Sequence, residues 1–148
     1  MPISPAAQSG RSFRNLGIAP AILNALDSLS YTEPTPMQIQ AIAPGIEGKD
    51  IVGIAQTGTG KTLAFGVPVM QRILSMPGRA LILVPTRELA LQVEETFRKV
   101  GGPIDIHSAV LIGGAAMGPQ VAALRRNPDV IIATPGRLID HLEKKTAR

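Results

Sequence analysis

The chain has no cysteine and no tryptophan, and its 148 residues include only two histidines. Without cysteine there is no disulfide, thiolate metal site or thiol nucleophile, and two isolated imidazoles, His107 and His141, do not make a metal cluster. His141 lies among helix-forming residues, where a solvated side chain is expected. Aromatic residues make up 3% of the chain, as Phe13, Tyr31, Phe65 and Phe97. Proteins that hold a single strand by stacking base after base need more rings than that, so any nucleic acid bound here is expected to be held by its backbone. No apolar run is long enough to cross a bilayer, and the first residues lack the basic-then-apolar pattern of a signal peptide. A soluble, cytoplasmic protein is the expectation. Acidic residues are outnumbered, 11 Asp+Glu against 15 Lys+Arg, and the resulting charge of +4 suits a polyanionic partner without proving one.

What the chain does have is apolar sequence, 45% of its residues, enough for one compact domain with a single core. Residues 1–11, rich in Pro, Ser, Ala, Gln and Gly, read as a disordered leader, and 12–148 as the folded part. From Ala19 to Leu29, Ile22, Leu23, Leu26 and Leu29 fall on one helical face, and Thr35-Pro36-Met37-Gln38 opens a second helix running to about Ala43. Strand-like runs follow at Ile51 to Ile54, Ala80 to Val84, Ile104 to Ile112 and Val130 to Ala133. Each ends in a Gly, Pro or Thr break and a helical pattern, which is repeated βαβ. Strands that are apolar without alternation suit a parallel sheet covered by helices on both faces. Right-handed crossovers then bring the loops after the strands to one edge, where open α/β sheets bind ligands.

The first of those loops is Ala55-Gln56-Thr57-Gly58-Thr59-Gly60-Lys61-Thr62. Glycines let backbone N–H groups turn inward around an anion, Lys61 can reach terminal phosphates as a point charge, and the Thr62 hydroxyl can ligate Mg²⁺. Nucleoside triphosphate is the ligand this pattern fits, with Gln56, Thr57, Gly58, Thr59, Gly60, Lys61 and Thr62 as its cradle and Lys61 and Thr62 as the groups closest to catalysis. Ala55 stands where glycine is usual. A plain glycine-rich turn between strand and helix is the bland alternative, which the Gly-Lys-Thr ending at a helix start makes hard to sustain.

Other motifs have ordinary readings too. Thr35, Pro36 and Gln38 complete a capping box, although an amide can also read the N6/N7 edge of adenine and Phe13 could stack on its ring. Pro85-Thr86-Arg87-Glu88 and Thr134-Pro135-Gly136-Arg137 both read as helix starts, whose free N–H groups and neighbouring arginines also suit a phosphate. Arg125-Arg126, Glu94-Glu95 and Lys144-Lys145 read as solvated helical surface.

Taken in order, Phe13, Pro34 to Gln38, the Ala55 to Thr62 loop, Pro85-Thr86-Arg87-Glu88-Leu89-Ala90, Gly113-Gly114 and Thr134 to Arg137 resemble the DEAD-box ATP-dependent RNA helicases, from Phe13 to the C-terminus. Ser30 and Met37 stand where glycine and isoleucine are commoner in that family. The resemblance implies a RecA-like P-loop domain, an α/β fold with a parallel sheet flanked by helices, incomplete at its C-terminus: a partial first helicase domain over 12–148. It also implies ATP with Mg²⁺ as cofactors, Thr62 serving the metal, and adenine recognition by Phe13 and Gln38 with Tyr31 and Thr35 nearby. RNA is the implied partner, gripped through its backbone without sequence preference by Pro85, Thr86, Arg87, Gly113, Gly114, Thr134, Gly136 and Arg137, together with a second helicase lobe.

Hydrolysis in such enzymes needs an acid at the end of another strand. Asp129 precedes its strand, and Asp140 lies within a helical pattern. The family's Asp-Glu-Ala-Asp segment would follow Arg148. Two functions are therefore expected of different polypeptides: ATP-dependent RNA unwinding by a full-length parent, and non-hydrolytic nucleotide or RNA binding by this chain.

Overall fold

Nine α-helices and strands are seen in the computed structural model, which describes residues 12–56 and 60–148. The expected leader over 1–11 lies outside that range. Where composition suggests a single core, the chain divides into two compact units, Met1–Ser75 and Met76–Arg148.

The first unit is helical, with α1 (Pro20–Ser28), α2 (Pro36–Ile46) and α3 (Lys61–Ser75). The starts of the first two follow from local sequence. Pro20 and Pro36 each occupy the first turn, where a missing N–H costs nothing. Thr35 accepts a hydrogen bond from the Gln38 amide at 3.3 Å while Gln38 Oε1 accepts from the Thr35 N–H at 2.8 Å, the capping box read from the sequence. Ile22, Leu26, Ile42, Val67 and Met70 are all but fully buried. The segment before α1 is tied down by Gln71 of α3, whose Oε1 accepts from Ala19 N at 2.7 Å and whose Nε2 donates to Gly17 O at 2.9 Å.

The strand expected at Ile51 to Ile54 does not form. These residues have no regular structure, and Val52 and Ile54 are each 92% exposed. An apolar run becomes a strand only where another strand completes its ladder, and the described residues of this unit contain none.

The second unit holds a parallel three-stranded sheet, β1 (Ala80–Leu83), β2 (Ser108–Leu111) and β3 (Val130–Ala133), in the order β1-β3-β2. Ala80 pairs with Val130 and Leu83 with Ala133, while Ser108 and Leu111 meet the same two residues from the other side. The expected strand from Ile104 is shorter, because Gly102–Ile104 forms a 3₁₀ turn and Asp105 takes a left-handed conformation. Helix α4 (Arg87–Gly101) joins β1 to β2, α5 (Met117–Arg125) joins β2 to β3, and α6 (Pro135–Glu143) follows β3. The chain steps outward past one strand position and then back, so right-handed crossovers put α4 and α5 on opposite faces.

Side chains alternate accordingly. Leu111, Ile131 and Ala133 form one cluster with Leu124 of α5 and Ala147, with Leu138 of α6 packed against it. On the other face, Val130 and Ile132 are fully buried, and α4 offers the stripe Ala90, Val93, Phe97 and Val100. The middle strand is buried throughout. At the edge, Leu81 and Leu83 of β1 are each 53% exposed.

Candidate functional site

In the first unit, Gly60 has φ +79, the left-handed region that glycine enters without strain. Lys61 is the first residue of α3 and is exposed, and Thr62 beside it is half-buried. A fifteen-residue helix beginning at an exposed lysine brings the positive end of its dipole and a cation to one point, which suits a triphosphate. Gln56 is exposed. Thr57, Gly58 and Thr59, also expected in the cradle, lie outside the described residues.

Gln38 joins the start of α2 to this loop. Besides its capping bonds, its Nε2 donates to Gly60 O at 3.2 Å, and a Cβ at Gly60 would collide with the same amide. One lone pair and one N–H of Gln38 are thus committed, leaving one of each, the complement that an adenine edge requires. In this conformation Gln38 is 3% exposed and Phe13 4%. Tyr31 is exposed and Thr35 half-buried.

In the second unit the three loops after the strands come together. Thr134 N donates to Leu111 O at 3.0 Å, linking the loop after β3 to the end of β2. Arg137 Nη1 donates to Ala115 O at 3.0 Å. On the side of β1, Arg87 lies against Gly114, whose φ is +76 and where an added Cβ would fall 2.5 Å from Arg87 Nη1. Two guanidinium groups therefore flank the turn that carries Gly113 and Gly114. Thr86 caps α4 by accepting from Leu89 N at 3.2 Å, whereas Thr134 makes no side-chain cap on α6. The α6 N-terminus keeps its free amides at Gly136 and Arg137. Pro85, Thr86, Arg87, Gly114 and Gly136 are exposed, Gly113 and Thr134 half-buried.

Arg137 differs from Arg87. Its side chain is only 15% exposed, with Nε 3.6 Å from Asp140 Oδ2. Nη1 also approaches Gln120 Oε1 at 3.4 Å. Behind it lies a histidine that the sequence reading left on the surface, and that reading is corrected here: His141 is fully buried. Its Nε2 is 2.8 Å from Gln120 Oε1 and its Nδ1 2.7 Å from Thr146 Oγ1. Burial, then the charge of Arg137, hold its pKa below the ordinary imidazole value, with Lys144 adding to the shift and Asp140 opposing it. Gln120 is buried as well and donates from Nε2 to Ile112 O at 2.9 Å. A helical pattern with polar residues at 120 and 141 looks like solvated surface, so composition could not have revealed this cluster.

Residues 35–148 match the model of a protein family described as DEAD/DEAH box helicase. The chain belongs to that family. Among curated relatives, the DEAD-box family match is accompanied by 51% identity over 137 residues to the "ATP-dependent rRNA helicase RRP3" of Lodderomyces elongisporus, covering 91% of this chain and 27% of that protein. The "Probable ATP-dependent RNA helicase DDX47" of Homo sapiens is 48% identical over 135 residues, covering 90% of the chain and 30% of the relative. The chain thus spans about a quarter to a third of the length of these relatives. A crystal structure of a DEAD box protein from the hyperthermophile Methanococcus jannaschii superposes with a TM-score of 0.86 at 35% identity, over 93% of this chain and 38% of that one. The RNA-helicase Prp28 from Chaetomium thermophilum bound to ADP gives 0.85 at 38% identity, over 93% and 35%. The fold is that of a DEAD-box RecA-like domain, of which the chain carries a small parallel sheet with its flanking helices. No described helix is long and apolar enough to cross a membrane.

Proposed function

We propose that this chain is the ATP- and RNA-binding front part of an ATP-dependent RNA helicase. The observation that carries the reading is the convergence of three post-strand loops in the second unit, where Arg87 and Arg137 flank the Gly113-Gly114 turn. Cations, free helix N-terminal amides and scarce aromatic rings suit a ribose-phosphate backbone better than bases. In the first unit, ATP would be held by the Ala55 to Thr62 loop, with Lys61 against its terminal phosphates and Thr62 toward Mg²⁺. Gln38 and Phe13 would read and stack on the adenine. Bound ATP supplies a phosphoanhydride whose hydrolysis releases the grip on RNA in the parent protein.

A narrower role for the chain itself has its own observation. Val84, Ile112 and Thr134 directly follow β1, β2 and β3, so no carboxylate stands at those strand ends to organise Mg²⁺ and an attacking water. The chain alone is therefore assigned binding without efficient turnover, and unwinding is assigned to the longer parent with its second lobe. The test is RNA affinity against salt together with ATP turnover. Arg87→Ala should weaken binding to unrelated single-stranded RNAs about equally and reduce the salt slope by about 1. Loss confined to one sequence would refute backbone recognition, and brisk turnover by the chain would refute the narrower role.

A further inference from the structure

We propose that His141 is a positioning residue for RNA binding, acting through Gln120 to fix Arg137 and both ends of the Ile112–Ala115 turn; this rests on the RNA-backbone reading above. The hydrogen-bond directions decide how it does so. Gln120 lies next to two groups of known polarity: Ile112 O can only accept, and Arg137 Nη1 can only donate. The amide must therefore point Nε2 at Ile112 and Oε1 at Arg137, since reversal would set oxygen against oxygen and N–H against N–H. His141 Nε2, 2.8 Å from that Oε1, must then carry a proton.

With the ring neutral, Nδ1 keeps its lone pair and accepts a hydrogen bond from the Thr146 hydroxyl over their 2.7 Å contact, shorter than the 3.1 Å from Thr146 Oγ1 to His141 O. A directed chain results, Thr146 to His141 to Gln120 to Ile112, in which each polar atom of the buried ring is matched. Its far end holds the carbonyl of Ile112, immediately before Gly113. Its Gln120 oxygen shares Arg137 Nη1 with Ala115 O. One buried assembly thus pins the carbonyls on either side of the Gly113-Gly114 turn and sets the angle of the guanidinium beside it. Nothing in this chain of contacts requires His141 to touch RNA.

The experiment measures binding of a fluorescent oligouridylate RNA to this chain by anisotropy, with thermal melts to give the folded fraction. His141→Phe keeps the ring and removes both nitrogens, while His141→Gln returns an N–H donor near the position of Nε2. Expected results are an affinity lowered about tenfold in His141→Phe and largely restored in His141→Gln, with Arg137→Ala combined with His141→Phe losing less than the two single losses added together. Wild-type affinity in His141→Phe, beside a loss in Arg137→Ala, overturns the positioning role and leaves the RNA reading standing. Wild-type affinity in Arg137→Ala sinks the RNA reading at this loop, and the proposal with it. Where His141→Phe does not fold, ¹⁵N NMR of the wild-type imidazole decides: an Nε2–H tautomer slow to exchange supports the assignment, and an Nδ1–H tautomer overturns it.

Discussion

Lys61 and Gln38 carry the strongest single-residue expectations. Lys61→Ala should abolish ATP binding in calorimetry while leaving the circular dichroism melt in place, because an exposed side chain at the first position of α3 contributes charge without packing. Gln38→Ala should behave differently. It removes the bond to Gly60 and half the capping box, so a stability loss of about 1 kcal/mol should accompany reduced preference for ATP over GTP; unchanged preference would return Gln38 to a capping role alone. His141 adds a pH dependence. The unfolded chain takes up a proton near the ordinary 6.5, the folded one only at lower pH, so folded molecules bind fewer protons between those values and stability falls as pH falls through that window. Urea midpoints at pH 7.5 and 5.5 should show the drop, and His141→Phe should flatten it. Residue types in order were enough to make Lys61, Gln38 and the arginine loops candidates from the sequence. Burial was not legible, which is why His141 and Gln120 were missed: one-dimensional pattern does not distinguish a polar residue on a wet face from one bonded to a partner 21 positions away.

At the scale of elements, legibility followed how local the cause was. Helices with proline starts and threonine caps matched their signals, since both lie within one turn of chain. Thr86→Ala should therefore cost about 1 kcal/mol by releasing the Leu89 amide at the α4 start. Strands depended on partners, and the apolar run at 51–54 shows the difference. Val52→Ser combined with Ile54→Ser should change the free energy of unfolding, from urea titration, by no more than about 0.5 kcal/mol per site, given 92% exposure of both side chains. Phe97→Ala, in the fully buried stripe of α4, should cost about 3–5 kcal/mol and unfold the second unit. A large effect at 52 and 54 would mean that the segment packs in solution.

For the molecule as a whole, exposed Leu81 and Leu83 on β1 lie at a sheet edge, where backbone groups and apolar side chains invite another chain. Concentration-dependent self-association is expected in light scattering, and Leu81→Lys should reduce it; a monodisperse wild-type monomer at high concentration would contradict this. The parallel α/β class was legible because βαβ alternation recurs from β1 through α6. Division into two units was not, since it depends on which contacts form between distant segments.

The strand order has a consequence for how the protein is made. Among the described residues, both β1 and β2 pair only with β3, yet β3 is synthesised after them. As the polypeptide leaves the ribosome, the two earlier strands must wait as unzipped ribbons until their common neighbour emerges, and a pause in translation just before Val130 would prolong the interval in which chaperones are needed.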